Sequence, residues 1–553
     1  MERYAPPGDI NIYLSLYPPT RLVHPSSGLY NQCIAFHERM KPMKKRMICL
    51  LVALMLLALA ACGSQTQPSG STLVYGSGDY DTINPIMNEH CEIKHLLFDG
   101  LVKRDGQGQL VGSLAQGWDY DAETLTYTFT LRPDVKWHDG EAFTAADVKF
   151  TIEAIMDPAN GSENYPNYIE ISEIRVQSDT EIAFVLSEPN FAFLDYMTMS
   201  ILPEHLLQGE DLWQSDYFRH PIGTGPYRLD SWDPGQSIVL KKNDSYFAGA
   251  AKIDTVIFKI VTEDAARALQ LKNGELDLAQ VTPRDAEGFR DAEGLTLYDM
   301  ATADYRGILY NFWNEYWQEN ADLIPAISYC IDRQAIVDAV LLGQGFPAYS
   351  PIQRNRYHYD GAEHYDFDPE KAEAAFLAAG CERDGEGFWC RGGQRIGFTI
   401  NATPGDQVRI DMAQIAAQQL RQAGLDVRAE VPAEGIDWGN QECCIIGWGS
   451  PFDADDHTYK VFGTDMGANY SGYSNAMVDE ALTLARQTGD DAQRAEYYKQ
   501  FEISLAEAPA YTFLCYLDAM FVADSGIRGI DPNTVLGHHG VGIFWNITEW
   551  EMG

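Results

Sequence analysis

Two apolar periodicities alternate along the chain, and together they lay out a mixed α/β protein. Leu125, Tyr127, Phe129 and Leu131 occupy every second position, which predicts a half-buried strand. Asp139-Gly140 supplies a turn, and Thr144 stands three residues before Asp147 in capping-box spacing. Val148, Ile152 and Ile155 then follow at helical spacing, so this unit reads strand, turn, helix. Upstream, TLVYGSGDYDTINPI reads as a strand running into a loop. Downstream, Asp233-Pro234-Gly235 separates two strand-like runs, and Ile253 to Val261 is another strand. A helix stopped by Gly274 leads to a short strand at 276–278. Asp368-Pro369 opens a helix through Ala379 that Gly380 ends. RIGFTINA (395–402) is a strand, and an amphipathic helix follows with Val408, Met412 and Ile415 on one face and Gly424 as its stop. LDVRAEV is a further strand and CCIIGW a buried one. Such β-α-β alternation predicts α/β lobes with ligand clefts at sheet edges.

One apolar run fits neither period. Met47 to Ala61 carries no charge over about 15 residues, too short for a spanning helix and right for a secretory h-region. Met43 to Arg46 (MKKR) is a basic n-region, and the small Ala60 and Ala61 precede Cys62. Leu59-Ala60-Ala61-Cys62 resembles the bacterial lipoprotein box, which implies a lipidated Cys62 as the mature N-terminus, with 43–61 as signal peptide and 62–71 as lipidated cysteine and tether. An ordinary secretory signal with a chance cysteine is the alternative. Residues 1–42 are mixed and lack a period; we expect translation to begin at Met43 or Met40 and leave them out of the fold.

Composition narrows the class. A net charge of −40 argues against nucleic-acid binding and against electrostatic adhesion to anionic lipid. At 45% hydrophobic and 12% aromatic the chain is globular rather than disordered. The mature length corresponds to about three units of ~150 residues. Ten cysteines include three at 33, 49 and 62, and the remaining seven are an odd number, so no disulfide framework is expected. Cys381 and Cys390 flank a predicted hairpin and are a candidate pair; Cys443 and Cys444 read as buried strand residues. No CxxC pair, GxSxG elbow or HExxH pair is present, so neither a zinc or redox site nor a hydrolase is indicated.

Six ordered motifs carry a resemblance: YTFTLRPDVKWHDGEAFTAADVKF (127–150), PIGTGPYRL (221–229), NGELDLA (273–279), ISYCIDRQAIVDAVLLGQG (327–345), DPEKAEAAFLAAG (368–380) and GWGSPFDADD (447–456). From about Leu73 onward the chain resembles the family 5 extracellular solute-binding proteins, which serve peptide, nickel and opine ABC importers. One departure is Ile324-Pro325 before the ISYCIDR helix, where family members usually carry Val-Arg. The resemblance implies an α/β, two-lobed, type II periplasmic-binding-protein-like fold with a hinge and an extra inserted subdomain. It places lobe one at 71–117, 219–303 and 509–553, the subdomain at 118–218, and lobe two at 304–508. The function implied is capture of short peptides outside the cell and delivery to an ABC permease with its ATPase subunits, by a monomer anchored to the outer face of the membrane through lipid. The alternative is a nickel-chelate or metallophore-binding protein; a sensory module without a transporter is a third reading.

In peptide-binding members a carboxylate shortly after Gly-Trp captures the α-ammonium of the peptide. Pro451 occupies that slot here, leaving Asp453 as the candidate, or else as a loop or helix-capping aspartate. Trp448 and Phe452 are candidate wall residues, with core packing the alternative. Tyr80, Asp81, Asn84, Tyr310, Asn311 and Tyr516 come from loops that face the cleft in the family. Arg306 is a candidate partner for a ligand carboxylate, or a surface ion pair. His457 and His538-His539 raise the question of bare metal, but Asp453, Asp455 and Asp456 lack the Gly and distal Glu of a calcium loop. No catalytic residue, resident metal or cofactor is expected.

Overall fold

A computed structural model of the chain describes residues 70–87 and 91–553. The signal peptide, Cys62, the tether up to residue 69 and the 1–42 extension lie outside the described residues. The described chain is organised on one eleven-stranded sheet. Two long antiparallel strands, Leu295–Tyr310 and Tyr511–Asp524, lie side by side in its middle. On one flank, Leu278–Val281 pairs with Tyr511–Asp524, followed by the parallel strands Thr72–Ser77 and Thr255–Ile260 and then Ser237–Lys242 and Tyr227–Asp233. On the other flank, Cys443–Ile446 runs antiparallel to Leu295–Tyr310, and Gly397–Asn401 and Asp426–Glu430 follow in parallel. A separate four-stranded antiparallel sheet is built from Ala115–Asp121, Thr126–Leu131, Glu181–Leu186 and Ile171–Ser178.

Side-chain alternation decides which core each strand residue enters. Cys443 and Ile445 pack with Phe398, Met412 and Trp317 on one face. Cys444 and Ile446 pack with Phe462, Tyr498 and Phe501 on the other. The same split separates Ile308 and Tyr310 from Tyr305 and Leu309. A strand covered on both faces has no polar side to show, which is why CCII is uninterruptedly apolar.

Local signals hold with small shifts. Thr144 caps the helix Ala145–Met156, accepting from the Ala146 amide while Asp147 accepts from the Thr144 amide at 2.8 Å. Asp368 caps Pro369–Ala378 in the same manner. The short strand expected at 276–278 forms instead at Leu278–Val281, because Leu276 packs into the core. On helix Gln407–Gln422 the buried face runs through Met412, Ala413, Ala416 and Leu420, leaving Val408 and Ile415 at its margin. Alanines bring the helix axis closer to the sheet than the expected face would. Cys381 and Cys390 are separate free, buried thiols rather than a disulfide: the hairpin register sets Glu382, not Cys381, opposite Cys390.

Phe129 is fully buried at the centre of the four-stranded sheet, with its ring 5.9 Å from that of Phe184. Phe129→Ala is expected to cost about 3–5 kcal/mol through lost burial and the cavity left behind. The midpoint of a urea titration followed by tryptophan fluorescence should fall accordingly; an unchanged midpoint would contradict this packing.

Candidate functional site

Strand Cys443–Ile446 runs directly into Gly447-Trp448-Gly449. A Cβ on Gly447 would overlap the carbonyl oxygen of Tyr305, and one on Gly449 that of Ala303. The two glycines therefore let this loop lie flat against the long strand, where the Tyr305 amide donates to the Trp448 carbonyl at 2.9 Å. The buried indole of Trp448 is surrounded by rings. Tyr470 and His538 stack on it with centroids 5.9 Å away in each case, and His457 lies 5.5 Å off. Tyr470 stacks in turn on Trp438 at 4.9 Å, and the rings of His538 and His539 stand 4.0 Å apart.

A buried charge cluster fixes the imidazole end of this wall. His538 Nδ1 lies 2.6 Å from Asp304 Oδ1, the His539 amide donates to Asp304 Oδ2 at 3.0 Å, and Arg306 pairs with the same carboxylate. Burial alone would raise the Asp304 carboxyl, but Arg306 and His538 together hold it well below the usual range. His539 itself is exposed at the edge of this cluster; desolvation by its neighbours, then the charges of His538 and Arg306, shift its imidazole downward. His539 also adopts a left-handed backbone at φ 58°, uncommon for a residue with a side chain.

Beside the wall opens a pocket with about 510 Å³ of empty volume, part of it open to solvent. Ala303 and Tyr516 of the two long strands line it, with Arg354, Ser450, Asp453 and His457. Asp453 is engaged by Arg494 through two N–H···O bonds of 2.6 Å each. Asp455, fully buried, is held by Arg486 and by the hydroxyl of Tyr196.

The structure brings Trp448, Asp453 and Tyr516 of the sequence candidates together at this pocket and wall. It also sets His457 and His538 against the indole, with His539 packed on His538. Tyr516 is buried, donating to the Ser350 carbonyl at 2.9 Å and accepting from the Gln353 amide at 3.0 Å. Phe452 is 42% exposed, so it is not core, and the Arg104 guanidinium covers its ring at 4.9 Å. Other candidates fall elsewhere. Arg306 is buried against Asp304, which excludes a surface ion pair. Tyr310 is a core residue bonded to Thr512 at 2.7 Å. Asn311 and Asn84 serve the backbone, donating to the carbonyls of Gln441 at 2.7 Å and Leu212 at 3.0 Å. Tyr80 is half-buried with its hydroxyl near Ser77, and Asp81 is exposed. Arg354 and Arg494 carried no sequence signal: nothing local marks an arginine whose partner lies 41 or 164 residues away.

Residues 109–470 match the family described as bacterial extracellular solute-binding proteins, family 5 Middle. Protein XP55 of Streptomyces lividans is 29% identical over 468 residues, covering 83% of this chain and 85% of that protein. Among solved structures, NikZ of Campylobacter jejuni in complex with Ni(L-His) is 33% identical, with a TM-score of 0.82 over 88% of this chain and 100% of that one. The oligopeptide-binding protein AppA of Bacillus subtilis, in complex with a nonapeptide, is 26% identical with a TM-score of 0.78 over 88% and 99%.

Two outcomes test this geometry. Arg494→Met should strand the Asp453 carboxylate and cost about 3–5 kcal/mol, and adding Asp453→Asn should recover most of that loss; a double variant as unstable as the single one would refute the pairing. The second concerns pH. The His539 pKa is lower folded than unfolded, so its contribution is present above about pH 6.5 and is lost as pH falls toward about 2. Because the His539 side chain is exposed, solvent screening keeps this effect small. In His539→Asn, a residue that tolerates the left-handed backbone, this acid limb should flatten in denaturant titrations between pH 7 and 4.

Proposed function

The chain belongs to the bacterial extracellular solute-binding proteins, family 5, and from that premise we propose that it is the substrate-binding component of an ABC importer whose ligand is a small nickel chelate of an amino acid. The fold is that of the type II periplasmic binding proteins. The family consists of solute-binding proteins, and no residue here is assigned a catalytic role.

The carrying observation is the indole of Trp448 flanked by His457 and His538, with His539 packed on His538, while Asp453 is occupied by Arg494. A peptide ammonium needs an available carboxylate, and the nearest one here is already neutralised in a bidentate pair. Imidazole nitrogen suits nickel, and His457 is the imidazole that lines the pocket. An aromatic face and a net charge of −40 both favour a cationic complex over an anionic one. The likeness to NikZ with its Ni(L-His) supports the same reading.

A second reading, a short peptide, is favoured by the likeness to AppA with its nonapeptide and by the Trp438–Tyr470–Trp448 ladder, a surface suited to apolar side chains. In either case we place lobe one at 71–117, 219–303 and 509–553, the inserted subdomain at 118–218 and lobe two at 304–508, hinged where Leu295–Tyr310 crosses between lobes and where the chain returns just before Tyr511–Asp524. Closure over ligand would present one shape to the permease and its ATPase subunits. Lipidation of Cys62 would anchor this monomer to the outer face of the cell membrane.

Thermal denaturation of residues 71–553 with nickel and L-histidine, nickel alone, and di- to hexapeptides separates the two ligands. A chelate at a hundredfold excess over its Kd should stabilise by about 2.7 kcal/mol. A shift with peptides and none with nickel–histidine would overturn the first reading. For the anchor, Cys62→Ala should release the protein to the medium or leave an unprocessed precursor; processed protein retained on membranes would refute lipidation.

A further inference from the structure

Arg354 lines the ligand pocket and is its one permanently charged cation among the described lining residues. Its guanidinium is held rigidly. Nη1 donates to the Thr302 carbonyl at 2.7 Å and Nη2 to Asp518 Oδ1 at 2.6 Å. Thr302 lies on one long strand and Asp518 on the other, so the side chain is pinned where the two run side by side. The ring of Phe346 covers one face of the guanidinium at 4.7 Å, and that ring stacks on Tyr516 at 5.2 Å and 11°. Five N–H groups radiate from a guanidinium in a fixed fork, and the hydrogen bonds named here use two. Asp518 engages only one edge of it, and both partners of that ion pair keep 19% of their side-chain surface. The carboxylate that lines the pocket, Asp453, is already paired with Arg494.

We propose that Arg354 receives a carboxylate of the bound ligand, so that the pocket selects for ligands bearing one. This rests on the pocket being the ligand site proposed above, and it deepens that reading by naming the feature selected. In a chain of net charge −40, an anionic group entering the pocket is repelled unless a cation faces it there. A planar fork whose orientation is preset by Thr302, Asp518 and Phe346 loses little freedom on accepting a carboxylate. A lysine-like point charge would not fix the direction of approach. A ligand with an α-carboxylate, an amino-acid chelate or a peptide alike, supplies the group that fits.

The test compares ligands with and without the carboxylate. Isothermal titration of the wild type, Arg354→Met and Arg354→Lys is run with nickel–L-histidine and with nickel–histamine, which keeps the imidazole and amine but lacks the carboxylate. A tripeptide acid and its C-terminal amide form a parallel pair. The wild type should prefer the carboxylate member by about 10- to 100-fold, the range of a charge-assisted hydrogen bond. Arg354→Met should lose that preference, weakening the carboxylate ligand and leaving its partner nearly unchanged, while Arg354→Lys retains part of it. A purely structural role would instead weaken both members equally, and melting temperature reports it independently. If peptides bind and nickel chelates do not, the nickel reading fails while the acid–amide pair still decides the role of Arg354. Discrimination unchanged in Arg354→Met, or absent from the wild type in both pairs, overturns the proposal.

Discussion

The close approach of Gly447-Trp448-Gly449 to the strand around Tyr305 is the constraint on which the site depends. Neither glycine can carry a side chain without overlapping a backbone carbonyl. That contact sets the depth of Trp448, and the indole sets the positions of the rings packed on it. It also draws in the C-terminal segment: the His538 amide donates to the Gly449 carbonyl at 3.1 Å, and Leu536 bonds to both Ala301 and Ala303. Segments separated by more than 200 residues thus meet on one strand. The irregular pairing between Ala301 and Gly307 falls in this same stretch, where an interrupted ladder can turn Asp304 and Arg306 into the interior.

Electrostatics follow from that geometry. A buried carboxylate without a partner is costly, so Asp453 and Asp455 each sit against an arginine delivered by another element, and Asp304 against Arg306 of its own strand and His538 of the C-terminal segment. The result is a wall whose charges are already balanced before any ligand arrives. Around the pocket this leaves ring surface, the His457 imidazole and the exposed edge of Arg354. Such a surface is preorganised, because the ligand need not displace an internal partner to be held.

The secondary structure was legible where one strong local rule acted. The apolar CCII run, the Thr144 cap and the Asp368-Pro369 helix start all depend on residues within a few positions of each other. The longest strand, Leu295–Tyr310, was not legible: its alternation breaks at the irregular pairing, and the sequence TADYRG there has no strand period. The candidate site divided along the same line. Trp448 and its glycines form one short motif and were found. Asp453 was found, but its role depends on Arg494 in a helix 41 residues on, a partner that spacing does not reveal. Arg306 and Tyr310 were assigned to the cleft because they flank the predicted crossing, yet strand alternation and the interrupted ladder turn them inward.

The contacts between the four-stranded unit and the loop after Trp448 bear on how such a site can open. Arg486 binds Asp455, and from the other side it meets Glu170 at 3.0 Å, the Pro166 carbonyl at 3.0 Å and Tyr196. Tyr470 bonds Glu163 across the same boundary, and Arg104 pairs with Asp195 while covering Phe452. These contacts are polar, and water can replace them. The Arg486–Asp455 pair belongs wholly to one side of the boundary. Separation would therefore expose Glu170 and Tyr196 to solvent without stranding either member of the buried pair.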